Sequence, residues 1–313
     1  MDTILITGVS GYIGSNLADL LLERKFNLIG IDNRNNSRTN YLCKRGLSFF
    51  QGNICDTEFI STIFAQRKIN QVVHLAALKS VVDSEKNRNQ YYLNNVFGTR
   101  NIAAMSTVKE VSNFIFISSA AVYGSQNTHI VHEETECNPN SYYGETKLIS
   151  ERELNSISQT STNFHCLRLF NVVGTTKSEL SDDSKDNIIP RFIDCIKNNI
   201  QPTIFGQDFN TSDGTALRDY VDIKDVINVI VALISNKNKR KQNTILNVGS
   251  GKGTSVLEVL EILQKYNEKL VIPKFGPRRV GDVEALIADI SQLRKLLGIE
   301  PNLNLQEIVS RIN

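Results

Sequence analysis

The feature that most constrains this chain lies at its start: an apolar run, Thr3 to Thr7, breaks into Gly8-Val-Ser-Gly11-Tyr12-Ile13-Gly14 and then into helical spacing. Small residues there let backbone N–H groups at a helix N-terminus approach a pyrophosphate. A glycine triplet alone is weak evidence. This one sits in the strand-turn-helix context that such a loop requires, and Asp32 closes the next apolar run about 20 residues on, placed to accept from a ribose 2′-hydroxyl. Asp32 also favours NAD over NADP, because a carboxylate repels a 2′-phosphate, although Arg34 and Arg38 nearby weigh the other way.

Further apolar runs, Asn27 to Asp32, Ser48 to Gly52, Val72 to Ala76, Phe114 to Ser118 and Cys166 to Phe170, alternate with helix-like segments, and Ile13, Leu17, Leu20 and Leu21 share one helical face. That alternation predicts an α/β fold with a doubly wound parallel Rossmann sheet. From about Asn171 the pattern loosens into a polar loop, Thr175 to Asp186, then a helix near Ile189 to Lys197, the segment Thr203 to Gly206 and the polar stretch Asp208 to Thr215. We read residues 1–170, with about 220–248, as an NAD-binding domain, and 171–313 as a smaller α/β substrate domain interleaved with it. A second glycine-rich stretch, Gly249 to Ser255, is not a Walker loop, because Gly253 stands where Ser or Thr must follow Lys252. Ser255 there reads as a helix cap.

Composition removes several classes. The 35 Lys and Arg nearly balance 33 Asp and Glu, which gives no reason to expect nucleic acid as a partner. The longest apolar run, Val226 to Ile234, is too short for a membrane span, and no secretory leader is visible. Cys43, Cys55, Cys137, Cys166 and Cys195 are odd in number and never spaced C-x-x-C, and none of the 4 histidines pairs with another at metal-ligand spacing. A cytoplasmic chain without a metal is the expectation.

The chemistry must then come from elsewhere. Tyr143-Gly-Glu-Thr-Lys147 sets a phenol and an ammonium on one helix face, and Ser118-Ser119 closes the predicted fifth strand near the nicotinamide end of such a sheet. A unit charge ~6 Å from the phenol at an effective dielectric of ~20 lowers its pKa by roughly two units, so Lys147 and a nicotinamide cation together bring Tyr143 towards neutrality as a base. A chance Tyr–Lys pair on a solvated face is the bland alternative. It is outweighed by the order in which the glycine loop, the serine pair and the Tyr–Lys pair occur.

With these residues in view the chain resembles the UDP-glucose 4-epimerases, of the extended short-chain dehydrogenase type, from end to end. The resemblance rests on the glycine loop, Asp32-Asn33, His74-Leu-Ala-Ala-Leu-Lys79, Asn94-Asn-Val96, Phe116-Ile-Ser-Ser-Ala-Ala-Val-Tyr-Gly124 and Tyr143 to Lys147, then on Phe170-Asn171, Asn187, Ile204-Phe-Gly206, Asp213-Gly-Thr215, Arg218-Asp-Tyr220 and Pro277 to Asp282. It implies tightly held NAD, touched by Gly8, Gly11, Tyr12, Ile13, Gly14, Asp32, Asn33, Asn53, Ile54, Ala76, Lys79, Asn95, Ser118, Tyr143, Lys147 and Phe170. It also implies a UDP-sugar held by Lys79, Ser119, Tyr143, Asn171, Asn187, Ile188, Thr203, Phe205, Arg218, Tyr220, Arg279, Asp282 and Leu286, in a homodimer. The two arginines suit a diphosphate, and Phe205 suits the uracil.

The reaction so implied interconverts UDP-glucose and UDP-galactose through a transient 4-keto sugar and bound NADH, with Ser119, Tyr143 and Lys147 as the catalytic residues. Asn53, Leu169 and Leu286 depart from the family's usual aspartate and tyrosines, which leaves UDP-N-acetylglucosamine open as a substrate. A dehydratase needs an acid–base pair after the active hydroxyl, and Ala120-Ala121 supplies neither. Another UDP-sugar epimerase or decarboxylase, and an NAD-sensing interaction protein on the same fold, also remain as alternatives.

Overall fold

Strands buried on both faces need unbroken apolar runs, and β1 (Thr3–Thr7) meets that demand with Ile4, Leu5 and Ile6, all inaccessible to solvent. The computed structural model describes residues 2–157, 161–184, 187–236, 243–279 and 281–312. It divides into two compact units, the first made of Met1–Val122, Cys137–Arg168 and Ile227–Leu246, the second of Tyr123–Glu136, Leu169–Val226 and Asn247–Asn313.

The first unit is built on a 7-stranded sheet in the order β11-β7-β5-β4-β1-β2-β3. Its strands are β1, β2 (Asn27–Asp32), β3 (Ser48–Gln51), β4 (Gln71–His74), β5 (Asn113–Ser119), β7 (Asn163–Leu169) and β11 (Thr244–Val248). Pairings from β3 through β2, β1 and β4 to β5 are all parallel. The chain order reverses between β1 and β4, and ligands of doubly wound sheets bind beyond the C-terminal ends of strands at such a switch point. Two loops leave the sheet there, one starting at Gly8 and one at Leu75. The sequence carried β4 on to Ala76, but the last ladder bond is Leu75 N–H to the Thr7 carbonyl, and the chain then turns across the glycine loop. Packed beneath is an apolar core that includes Leu5, Ile31, Phe64, Val72, Phe114 and Phe164.

In the second unit β10 (Leu217–Asp222) is central: it pairs with β12 (Gly253–Ser255), β14 (Ala285–Ala288) and β8 (Asn171–Val173), and β14 in turn pairs with β6 (Ile130–Val131). A separate ribbon joins β9 (Thr203–Phe205) to β13 (Lys274–Gly276). Val173, Phe192, Ile196, Tyr220, Leu260 and Ile308 lie in its core. Helix Val256–Asn267 opens with Ser255 and Glu258 in a capping box. Residues 123–136, which the sequence reading kept in the first domain, cluster here because β6 pairs with β14 and the Tyr123 hydroxyl donates to Asn247 at 2.6 Å. Of the polar loop Thr175 to Asp186, the last two positions lie outside the described residues. Among the described residues no helix is long and apolar enough to cross a membrane.

Candidate active site

The three glycines of the first loop act for different reasons. Gly8 has a φ of 72°, and a Cβ there would stand 2.7 Å from the Ala76 backbone nitrogen; at Gly14 it would stand 2.3 Å from the Gly8 carbonyl oxygen. Gly11 is the N-cap of helix Tyr12–Glu23, and its Cβ would meet the Gly8 oxygen at a milder 3.2 Å. That N-terminus carries no side-chain cap and no acidic residue in its first turn, which suits a helix end that faces an anion. Asp32 accepts from Ser10 N–H and Arg34 N–H, each at 3.0 Å, one on each carboxylate oxygen, which leaves both oxygens a further lone pair. A cradle of bare backbone beside an acceptor at the end of β2 fits the pyrophosphate and ribose of a dinucleotide.

The remaining residues assigned to NAD have varied surroundings. Tyr12 and Ile13 are half-buried in the first helical turn, and Asn33 follows Asp32 on the exposed side. The Asn53 side chain accepts from Cys55 N–H at 2.9 Å, and the buried Ile54 carbonyl accepts from Asn101 at 2.8 Å. Ala76 N–H donates to Thr7 Oγ1, and Lys79 ends its loop exposed. Asn95, buried in the π-helical turn Tyr92–Phe97, grips Leu78 through both N–H and C=O. Phe170 is buried in the second unit, its N–H bonded to the Val248 carbonyl.

Ser119 is the last residue of β5, and Tyr143 is the second of helix Tyr142–Ser156. Three acceptors hold that helix's first turn: the Glu85 carboxylate on Tyr142 N–H (2.7 Å), Ser84 Oγ on Tyr143 N–H (3.1 Å) and Ser141 Oγ on Gly144 N–H (3.1 Å). Burial pushes the pKa of the Tyr143 phenol up, and the neighbouring Ser119 hydroxyl pulls it down. In the protein by itself desolvation governs the direction, and Ser119 opposes it. Lys147 itself is buried, donates to the Ile117 carbonyl at 2.7 Å and lies 4.8 Å from the Phe116 ring centre. Burial brings its ammonium down to about 7, against the pull of Glu151. Glu151, in turn, forms a buried ion pair with Arg168 at 2.7 Å and accepts from Ser118. The sequence reading passed over Glu151, yet Tyr143, Lys147 and Glu151 repeat at four-residue spacing, which was the available signal.

A cavity of the second unit gathers most of the residues assigned to the UDP-sugar: Asn171, Asn187, Ile188, Thr203, Phe205, Arg218, Tyr220, Arg279 and Asp282. Asp282 lies 3.0 Å from Arg279 Nε and 3.6 Å from Arg218, so it holds two cations on one wall. Burial lowers the Arg218 pKa, and the guanidinium also donates to the Leu217 and Val283 carbonyls. Two guanidinium groups cover the Phe205 ring, Arg279 at 4.9 Å and Arg191 at 5.7 Å. Arg191 was not anticipated; it sits one helical turn beyond Asn187. Asn171 donates to the Asp219 carbonyl and Asn187 to the Asp182 carboxylate, so each amide nitrogen is already engaged. Leu286 pairs with Arg218 across β10 and β14 but does not line this cavity.

Comparison with known proteins gives a consistent picture. The UDP-glucose 4-epimerase of Halalkalibacterium halodurans is 33% identical over 95% of this chain and 90% of its own length. A UDP-glucose-4-epimerase from Stenotrophomonas maltophila, solved with bound NAD and formylated UDP-arabinopyranose, superposes with a TM-score of 0.93 at 29% identity, covering 100% of this chain and 97% of that one. The UDP-Glc/GlcNAc 4-epimerase of Campylobacter jejuni superposes with a TM-score of 0.84 at 30% identity, covering 100% and 98%. Because the profile of the NAD dependent epimerase/dehydratase family matches residues 4–249, well over half of its length, the chain belongs to that family.

Proposed function

We propose that this protein is a UDP-glucose 4-epimerase, interconverting UDP-glucose and UDP-galactose with NAD held throughout the cycle. The observation that carries the reading is the Tyr143 phenol beside Ser119 at the end of a switch-point sheet, with Lys147 buried one turn further on. NAD, when bound in the glycine cradle, supplies reversible two-electron oxidation at the sugar's C4 without net redox change.

Tyr143 Oη takes the proton from the sugar 4-hydroxyl and later returns it, and Ser119 Oγ donates to the charge that develops on O4. Lys147, near neutrality through burial, gains its charge most favourably beside a phenolate. Arg218 and Arg279 anchor the diphosphate while Phe205 flanks the uracil, leaving the hexose free to turn its other face to Tyr143. Ala120 and Ala121 transfer no proton, which leaves the oxidised sugar no route to dehydration. The site residues and the two-domain division are part of this proposal, as are a cytoplasmic location and a homodimer.

A second substrate class, UDP-N-acetylglucosamine, is supported by the likeness to the UDP-Glc/GlcNAc 4-epimerase of Campylobacter jejuni, and the resemblance puts Leu286 where a tyrosine would exclude a C2 acetamide. Incubating purified protein with UDP-galactose and following UDP-glucose decides the main reading. No conversion by folded, NAD-loaded protein would overturn it.

A further inference from the structure

His74 belongs to the first unit's loop motif, is buried, and has no part in the chemistry above. Its ring is stacked on Phe116 at 6.0 Å and tilted against Phe114 at 5.9 Å. Both ring nitrogens are engaged: Nδ1 lies 2.7 Å from Thr7 Oγ1, and Nε2 lies 2.9 Å from Thr99 Oγ1.

The neighbours fix which nitrogen carries the proton. Thr99 has one hydroxyl hydrogen, and it is spent on the Asn95 carbonyl at 2.5 Å, an acceptor that can donate nothing in return. Thr99 Oγ1 therefore accepts from His74, which places the hydrogen on Nε2. In a neutral ring Nδ1 then carries the lone pair, so the Thr7 hydroxyl donates to it, and Thr7 Oγ1 accepts from Ala76 N–H at 3.3 Å. Burial and the charge on Lys147 both oppose a second proton, bringing His74 down to about 3. The result is a chain of one sense: Ala76 N–H to Thr7, Thr7 to His74, His74 to Thr99, Thr99 to the Asn95 carbonyl.

Both ends of that chain meet the site. Ala76 is the residue whose nitrogen Gly8 approaches so closely that no Cβ fits. Asn95 holds Leu78 by two bonds, at 2.8 and 2.9 Å, and donates to Thr146 Oγ1 at 3.1 Å, whose own hydroxyl donates to the Tyr143 carbonyl at 2.7 Å. We propose that His74 is a positioning residue: as the neutral Nε2–H tautomer it orients a one-way hydrogen-bond chain that locks the Leu75–Lys79 loop between the glycine cradle and the helix bearing Tyr143. The proposal rests on the functional reading only for its kinetic consequence; the tautomer and its effect on dinucleotide binding do not depend on which sugar is turned over.

The test has two arms. In wild-type protein labelled with 15N-histidine, the His74 ring should give the shifts of an Nε2–H tautomer at neutral pH; an Nδ1–H or charged ring would overturn the proposal whatever the activity. In the second arm His74→Phe keeps a stacked ring and removes both nitrogens, whereas His74→Gln restores one donor and one acceptor. His74→Phe should lose about tenfold in NAD affinity by fluorescence titration, since two buried hydroxyls lose their partner. It should also lose kcat with KM for the UDP-sugar nearly unchanged, and His74→Gln should recover part of both. Wild-type NAD affinity in a folded His74→Phe protein would overturn the proposal. If His74→Phe fails to fold, the wild-type tautomer decides it alone: an Nε2–H ring supports the proposal and an Nδ1–H or charged ring overturns it.

Discussion

The sites in the two units are built in opposite ways. Around Gly8, His74, Asn95, Lys147 and Glu151 in the first unit, hydrogen-bonding capacity is spent inward, on backbone carbonyls, threonines and one buried ion pair. In the second unit the cavity presents cations on an aromatic ring, with a single carboxylate, Asp282, shared between Arg218 and Arg279. Arg279 is 53% exposed, whereas Lys147 is 3% exposed. Chemistry that moves a proton needs a group held in one place, since preorganised dipoles cost no reorganisation when charge develops. Anchoring a diphosphate needs charges that can be re-paired, and an arginine on a shared carboxylate can exchange that partner for phosphate oxygens.

If this contrast holds, the largest effect belongs to the rigid side. Tyr143→Phe should keep its fold and its NAD yet lose about 10²–10⁴ in kcat, the usual contribution of a positioned general base. The helix start is held by Glu85, Ser84 and Ser141 whatever the phenol does, so packing loss is small. Steady-state rates with UDP-galactose test it. A near wild-type rate would mean that the base is another group; Tyr123 is a poor replacement because its hydroxyl is committed to Asn247.

Next comes a comparison within the glycine loop. Gly14→Ala drives a Cβ to 2.3 Å from a backbone oxygen that cannot move aside, and Gly11→Ala brings one only to 3.2 Å. Overpacking of the first kind costs about 1–3 kcal/mol. Gly14→Ala should therefore lower the melting temperature and lose bound NAD on purification, while Gly11→Ala should keep its stability and weaken NAD less. Equal losses in nucleotide content and melting temperature would show that the loop does not distinguish the two positions.

The same contrast governs what could be read from the sequence. The strand-loop-helix start, Asp32 and the Tyr143–Lys147 pair were legible because each is local: a turn needs glycine, and a helix places residues four apart on one face. Their supports were not legible. Glu151 meets Arg168, and His74 meets Thr7 and Thr99, only after the sheet and its helices have formed. In the second unit little was local, since Asn171, Phe205, Arg218 and Arg279 come from separate segments, and the resemblance rather than spacing suggested them. Arg191 escaped for the opposite reason: one guanidinium on a helix reads as solvated surface until Phe205 is placed beneath it.

A smaller effect is expected from the cavity's cations. Arg279→Gln removes a charge-assisted contact to the diphosphate and should raise the Kd for UDP about tenfold or more, increasingly so at low salt. Arg191→Gln should raise it less, because Arg191 meets Phe205 at the longer distance of 5.7 Å. Calorimetric titration of UDP into each variant measures both. An Arg191→Gln loss exceeding that of Arg279→Gln would reverse the assignment of the main phosphate anchor.

The smallest effect is a change of preference rather than of rate, and it concerns Leu286. This residue pairs with Arg218 between β14 and β10, so its backbone is fixed by the strand that carries a proposed diphosphate anchor, although its side chain lies outside the cavity's lining. A leucine offers an N-acetyl group room but no hydrogen bond, and apolar pockets separate substrates that differ by a small group by only about 1–3 kcal/mol. UDP-glucose and UDP-galactose should accordingly be turned over fastest, with UDP-N-acetylglucosamine slower. Leu286→Tyr should then lower kcat/KM for the N-acetyl sugar by about tenfold while nearly sparing the plain hexoses, since added bulk rejects only the larger substituent. Equal loss for both sugars would show that the ring disturbs the Arg218 strand, and no loss for either that Leu286 packs away from the hexose. Only a selective loss keeps sugar preference with this residue, and it would place substrate discrimination in the exchangeable half of the molecule, apart from the proton-transfer machinery.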